Sequence, residues 1–173
     1  MTDVLHGLTS DYSHGRGFSE VVAIANPAVA VGFTYTVDGH YWQRVASLSF
    51  VHTSDANAAS RQVLLVQKDA SGAVLDASPP AAVQVASKAY TYIYRPNAAA
   101  INDTVSLVNV QAINPIFLPP LSTIVVTIGS AQAGDQISAI RFYMEKFDTG
   151  PAGPPTSMVA ETMVQGTTER LGD

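Results

Sequence analysis

Apolar and polar residues alternate along most of this chain with a period of two, the spacing of a strand with one face in a core. In AVAVGFTYTV, residues 28 to 37, Val31, Phe33, Tyr35 and Val37 fall on one face and Thr34 and Thr36 on the other. DGH then turns the chain into YWQRVASLSFVHT, 41 to 53, where Trp42, Ala46, Leu48, Phe50 and His52 are expected to share a face. RQVLLVQKD, 61 to 69, is apolar on both faces, as a central strand would be, and DASG marks a turn before AVLDAS. AVQVAS, AYTYIYR and DTVSLVNVQA follow. No stretch between them carries a helical period, so eight to ten short strands are expected in an all-β fold that is a two-sheet antiparallel sandwich or a barrel, the sandwich being the reading adopted.

The last part of the pattern, PIFLPPLSTIVVTIGSAQAGDQISAIRFYMEKF from 115 to 147, raises the question of a membrane segment. Prolines 115, 119 and 120 interrupt its apolar start, and no window approaches the roughly 20 apolar residues a spanning helix needs. Pro lacks the N–H of a ladder donor, so INPIFLPP reads as an edge or connecting segment. Ile124, Val126 and Ile128 form an inward face, Gly129 to Gly134 a turn, and Ile140, Phe142 and Met144 a returning strand, which together predict a hairpin.

The ends differ. Residues 1–19 are rich in Gly, Ser and His, and 148–173 open with Pro and Gly, with one short helix expected near Met158 to Val164. The domain reading is therefore an N-terminal arm (1–19), a sandwich (20–147) and a linker with a C-terminal arm (148–173). MTDVLHGLTSDYSHGRG lacks the basic and apolar blocks of a secretory signal.

Charge changes the picture most. Only 13% of the 173 residues are Asp, Glu, Lys or Arg, against about a quarter in an ordinary soluble domain. No charged residue lies between Asp103 and Asp135. Such a surface is expected to be covered by neighbours. The nine basic residues are scattered and the net charge is −5, which argues against nucleic acid or an anionic membrane as partner.

Little in the chain points to chemistry. It has no cysteine, and no hydrolase elbow, phosphate loop or metal-binding helix motif occurs, so no catalytic, cofactor or metal residues are assigned. His52, on an apolar strand face, reads as a hydrogen-bonded core histidine. Tyr90, Tyr92 and Tyr94 line one strand face beside Arg95. Exposed, this row would stack on sugar rings; otherwise it is a cross-strand aromatic ladder or an interface.

YWQRVASLSFVHTSDAN, SRQVLLVQKDASGAV, FLPPL and GDQISAIRFYMEKF follow one another in an order that resembles small β-sandwich virion proteins of tailed bacteriophages. These include head-decoration, neck and minor structural proteins. The resemblance spans about residues 28 to 147 and implies a jelly-roll-like sandwich without catalysis or cofactor. Its implied partners are other copies of the chain and a major capsid or other virion protein. Its implied place is the virion, assembled in the bacterial host cytoplasm, as a capsid decoration subunit first and a neck or tail component second. Ile113, Pro115, Phe117, Leu118, Pro119 and Pro120 are the expected subunit contacts. A carbohydrate- or receptor-binding module using the tyrosine row is the alternative.

Overall fold

The computed structural model describes residues 17–80 and 82–148, which form ten strands and no helix. They are β1 (Gly17–Ile24), β2 (Phe33–Thr36), β3 (Tyr41–Thr53), β4 (Gln62–Lys68), β5 (Val74–Ser78), β6 (Ala89–Arg95), β7 (Ile101–Asp103), β8 (Val108–Ala112), β9 (Thr123–Gly129) and β10 (Gln136–Asp148). β1 begins at Gly17, so the sandwich reaches into the segment read as an N-terminal arm. The rest of that arm, the C-terminal arm beyond Asp148 and the expected helix near Met158 lie outside the described residues.

One sheet has six strands in the order β1-β10-β3-β6-β8-β7 and the other four, in the order β2-β9-β4-β5. Every pairing is antiparallel except β6 with β8. That parallel pair departs from the purely antiparallel expectation. It is possible because β7 and the turns around it return the chain before β8 starts.

The core lies between the sheets. Phe33 of β2 meets Phe50 of β3 edge to face at 5.5 Å, and Tyr35 lies 4.9 Å from Phe142 of β10. Val63 and Leu65 of β4, Ile124 and Val126 of β9, and Ile140 and Met144 of β10 close the layer. Each such side chain contributes about 1.5–3 kcal/mol by leaving water.

Three expectations are corrected. The opposite faces of β3 switch midway: Ser47 pairs with Tyr143 and Val45 with Met144, which leaves Ala46 as an extra, bulged residue. Gln43 and Val45 therefore point inward before the bulge, and Leu48, Phe50 and His52 after it, whereas Trp42 and Ala46 do not share their face. Gly129 to Gly134 does not close a hairpin either. β9 pairs with β2 and β4, β10 with β1 and β3, and the turn carries the chain from one sheet to the other. Val31 is exposed because β2 begins only at Phe33.

Candidate interaction surface

The tyrosine row comes first, because burial decides its role. Tyr90, Tyr92 and Tyr94 are all buried, and Phe50 stacks on Tyr92 at 5.3 Å and 9° across the β3–β6 pair. Burial raises the Tyr92 and Tyr94 hydroxyls well above their ordinary value. The row is the cross-strand ladder of the core, and rings covered by the opposite sheet offer no platform for a sugar. Arg95, at the end of β6, is exposed.

The proline-rich segment divides. Ile113 and Leu118 are buried in the core, which removes them from any contact surface. Leu118 forms an isolated bridge with Gln43, donating to and accepting from its backbone at 2.7 and 2.9 Å. This seats the segment beside the first half of β3, where β6 has already ended. Phe117 stays half-buried, 5.2 Å from the Phe147 ring and 5.0 Å from the Arg44 guanidinium. Pro119 and Pro120 are half-buried, and Pro115 is exposed.

Arg44 also holds Glu145 across the strands, its Nε donating at 2.6 Å. On the same outer face, Val21 and Tyr143 are direct cross-strand partners, 60% and 45% exposed. Two apolar side chains facing each other on an outer sheet surface bury little against one another. Toward the end of the same pair, Lys146 bonds Glu20 and lies over the Phe18 and Tyr41 rings at 5.9 and 5.5 Å. Phe18 remains 46% exposed. Burial would lower the Lys146 ammonium, but Glu20 outweighs it and holds the group above its ordinary value.

Gly17 pairs with Phe147 and Tyr41 with Asp148, so both ends of the described chain leave from this one corner. Close approach explains Gly17: a Cβ there would lie 2.7 Å from the Phe147 ring. The corner thus combines an exposed apolar pair, an aromatic and cationic cluster, and both chain exits.

The chemistry-bearing residues gather at the opposite end of the sandwich. Arg61 is fully buried; its Nε donates to the buried Asp135 carboxylate at 2.9 and 3.2 Å and one Nη to Asp55 at 2.6 Å. Asp135 also accepts from the backbone N–H of Asp55 (2.9 Å) and Gln132 (2.8 Å). Burial would raise the Asp135 carboxyl, but Arg61 and these N–H groups hold it below its usual value. Beside it, Gln84 Nε2 donates to the His52 and Lys88 carbonyls, and its Oε1 accepts from Tyr92 at 3.1 Å. His52 Nδ1 is 2.8 Å from the same oxygen, so Nδ1 carries the proton and the buried Nε2 is the bare nitrogen. Burial lowers the His52 pKa, with the Gln84 bond opposing.

This network ties the loop after β3 to the loops before β6 and β10. The Arg61–Asp135–Asp55 cluster was missed in the sequence, where Asp55 is six residues from Arg61 but Asp135 is 74 away; its only signal was an arginine heading a central strand and an aspartate closing a glycine turn. Arg61 binds both carboxylates at once, so the cluster acts as a clasp between these loops. Among the described residues, no three of His, Asp and Glu are grouped as metal ligands.

A third feature lies along the far edge. An open cleft of about 600 Å³ runs between β5 and β8, with Asp76, Ala77 and Ser78 on one wall and Gln111, Ala112 and Asn114 on the other. No protein-family model matches the chain, and no curated protein or solved structure matches it.

Proposed function

We propose that this chain is a non-catalytic structural subunit that associates with its own copies, of the kind that decorates the head of a tailed bacteriophage. The observation that carries this reading is the corner described above. Val21 and Tyr143 present apolar surface on an outer sheet face, and Phe18, on the other face of β1, adds an exposed ring at the end where both chain ends exit. Contiguous apolar surface of that kind marks interaction sites.

A jelly roll is the finer form proposed for the sandwich. In its favour, β1-β10-β3-β6 facing β2-β9-β4-β5 gives eight strands that alternate between the sheets as two Greek keys do, with β7 and β8 added at one edge. Low charge supports association as well, since little charge must be stripped of water when copies meet. Of the expected contact residues, Phe117, Pro115, Pro119 and Pro120 remain available to a partner, and a major capsid protein is the second partner proposed.

Light scattering on the purified chain tests this. A discrete oligomer is expected, and Val21→Glu with Tyr143→Glu returns it to monomer while the circular dichroism of the sandwich is kept. A wild-type chain that remains monomeric at high concentration sinks the reading.

A further inference from the structure

The two sheets do not end together on the side away from β1. The four-stranded sheet stops at β5, whereas the six-stranded sheet continues past β6 through β8 and β7. The cleft between β5 and β8 occupies the place where a fifth strand would extend the smaller sheet. Among the described residues, β5 pairs only with β4 and no backbone hydrogen bond reaches its other edge. An unpaired strand edge is a template for an added strand.

The lining says what such a strand must be. Among the described residues Asp76 is the one charged group on the cleft, and an oxygen of it already accepts from Gln67 Nε2 at 3.2 Å. Gln111, nine-tenths buried, and Asn114 bring carboxamides able to donate and to accept, which suits a peptide backbone. Among the described residues lining it, no basic side chain is present to receive an anion and no aromatic ring to stack on a sugar. A peptide entering here should carry no charge, because a charge taken from water without a partner is costly.

We propose that the cleft receives residues 156–160 of a neighbouring copy, TSMVA, as a strand added to the free edge of β5. The proposal rests on the self-association reading above. Residues 149–173 follow the last described position, and 149–160 contain no Asp, Glu, Lys or Arg. The other end, 1–16, carries Asp3, Asp11 and Arg16. Pro154 and Pro155 have no N–H to give to a ladder, so pairing starts at Thr156, and Glu161 ends the uncharged run. An added strand covers the exposed β5 residues Val74 and Leu75 at its margin and gives the β5 edge its missing hydrogen bonds.

The absence of cysteine makes the test clean. Ala77→Cys, at an exposed position on the cleft wall, and Ser157→Cys are made in separate full-length chains carrying different tags, mixed and mildly oxidised. The mixed disulfide dimer is expected at several-fold the yield obtained when Ser157→Cys is paired with Ala56→Cys, an exposed control at the other end of the sandwich. Equal yields overturn the proposal. So does a double Ala77→Cys, Ser157→Cys chain that closes only on itself. Light scattering on the unmodified chain is read alongside. A discrete oligomer with equal disulfide yields removes the cleft as the receiving site and leaves self-association standing, whereas a monomer removes both.

Discussion

At the scale of single residues, the buried Arg61–Asp135 pair and His52 set how this protein responds to substitution and to pH. Taking Arg61 away leaves Asp135 buried beside two N–H donors with no cation. Breaking a buried pair on one side costs about 3–5 kcal/mol, whereas replacing both partners with apolar groups is far milder. Arg61→Met is therefore expected to lower the urea midpoint sharply, and Arg61→Met with Asp135→Leu to recover part of the loss. A double variant no better than the single one would show that the loops need the Asp135 hydrogen bonds rather than the ion pair. His52 adds a pH dependence. Its folded pKa is lowered by burial, so the unfolded chain binds the proton first as pH falls. The stability it contributes is present above the ordinary histidine value, about 6.5, and is lost as pH falls from there toward the folded value. The carboxyls of Asp135, Asp69 and Asp103, all held below their usual values, hold their stability above about 4 and lose it below. Urea midpoints between pH 7.5 and 5 are expected to fall for the wild type and to stay flatter for His52→Gln.

The element scale is governed by where strands must bend or touch. Gly32 leads into β2 so close to β9 that a Cβ would sit 1.8 Å from the Val126 carbonyl oxygen. Gly32→Ala must push β2 off β9, its one partner among the described residues, and is expected to cost more than about 2 kcal/mol in thermal unfolding. An unchanged melting temperature would mean that β2 contributes little to the sheet. On β10, Ser138 pairs with Val51 and Arg141 with Ser49, so Ala139 and Ile140 share one bulge opposite Phe50. Ala139 takes φ 53 there, and its N–H donates to Asn26 Oδ1 at 3.2 Å. The left-handed region costs a non-glycine residue about 1–2 kcal/mol, only partly offset by the flexibility a glycine would add to the unfolded chain. Ala139→Gly is expected to stabilise by up to about 1 kcal/mol, and a loss of stability would rule out strain at the bulge. β3 and β10, the two longest strands, each carry a bulge that the alternation of residues conceals. A period-two reading of YWQRVASLSFVHT runs through Ala46 without a break, which is why Trp42 was assigned to the wrong face.

For the whole molecule, the proposed contacts are apolar and sparsely charged, which makes a distinct solution behaviour expected. Exposed ion pairs weaken as salt is added, because the screening length drops to about 3 Å at 1 M. Burial of apolar surface is strengthened by sulfate. An oligomer held through Val21 and Tyr143 should therefore survive 1 M sodium chloride and tighten in ammonium sulfate, as read by light scattering. Dissociation in sodium chloride would shift the contact to the Arg44–Glu145 pair, which lies on the same outer face.

The sequence by itself determined the class of fold and much of the core. Alternation marked nearly every strand, because a side chain that points into a core must be apolar wherever one face of a strand is wet. It also marked Ile124, Val126, Ile140, Phe142 and Met144 as inward, and His52 as a core histidine. The tertiary structure alone decided which strands are neighbours. β9 and β10 are adjacent in the chain with a glycine turn between them, yet they lie in different sheets, since a short turn is compatible with both outcomes and only packing of the two apolar layers selects one. The same holds for the candidate surface. Tyr90, Tyr92 and Tyr94 carry the same period whether they face water or a second sheet, and Ile113 and Leu118 sit among prolines that disguise a core contact. The Arg61–Asp135 pair and the cleft beside β5 come from chain segments far apart in sequence, so no local pattern could announce them.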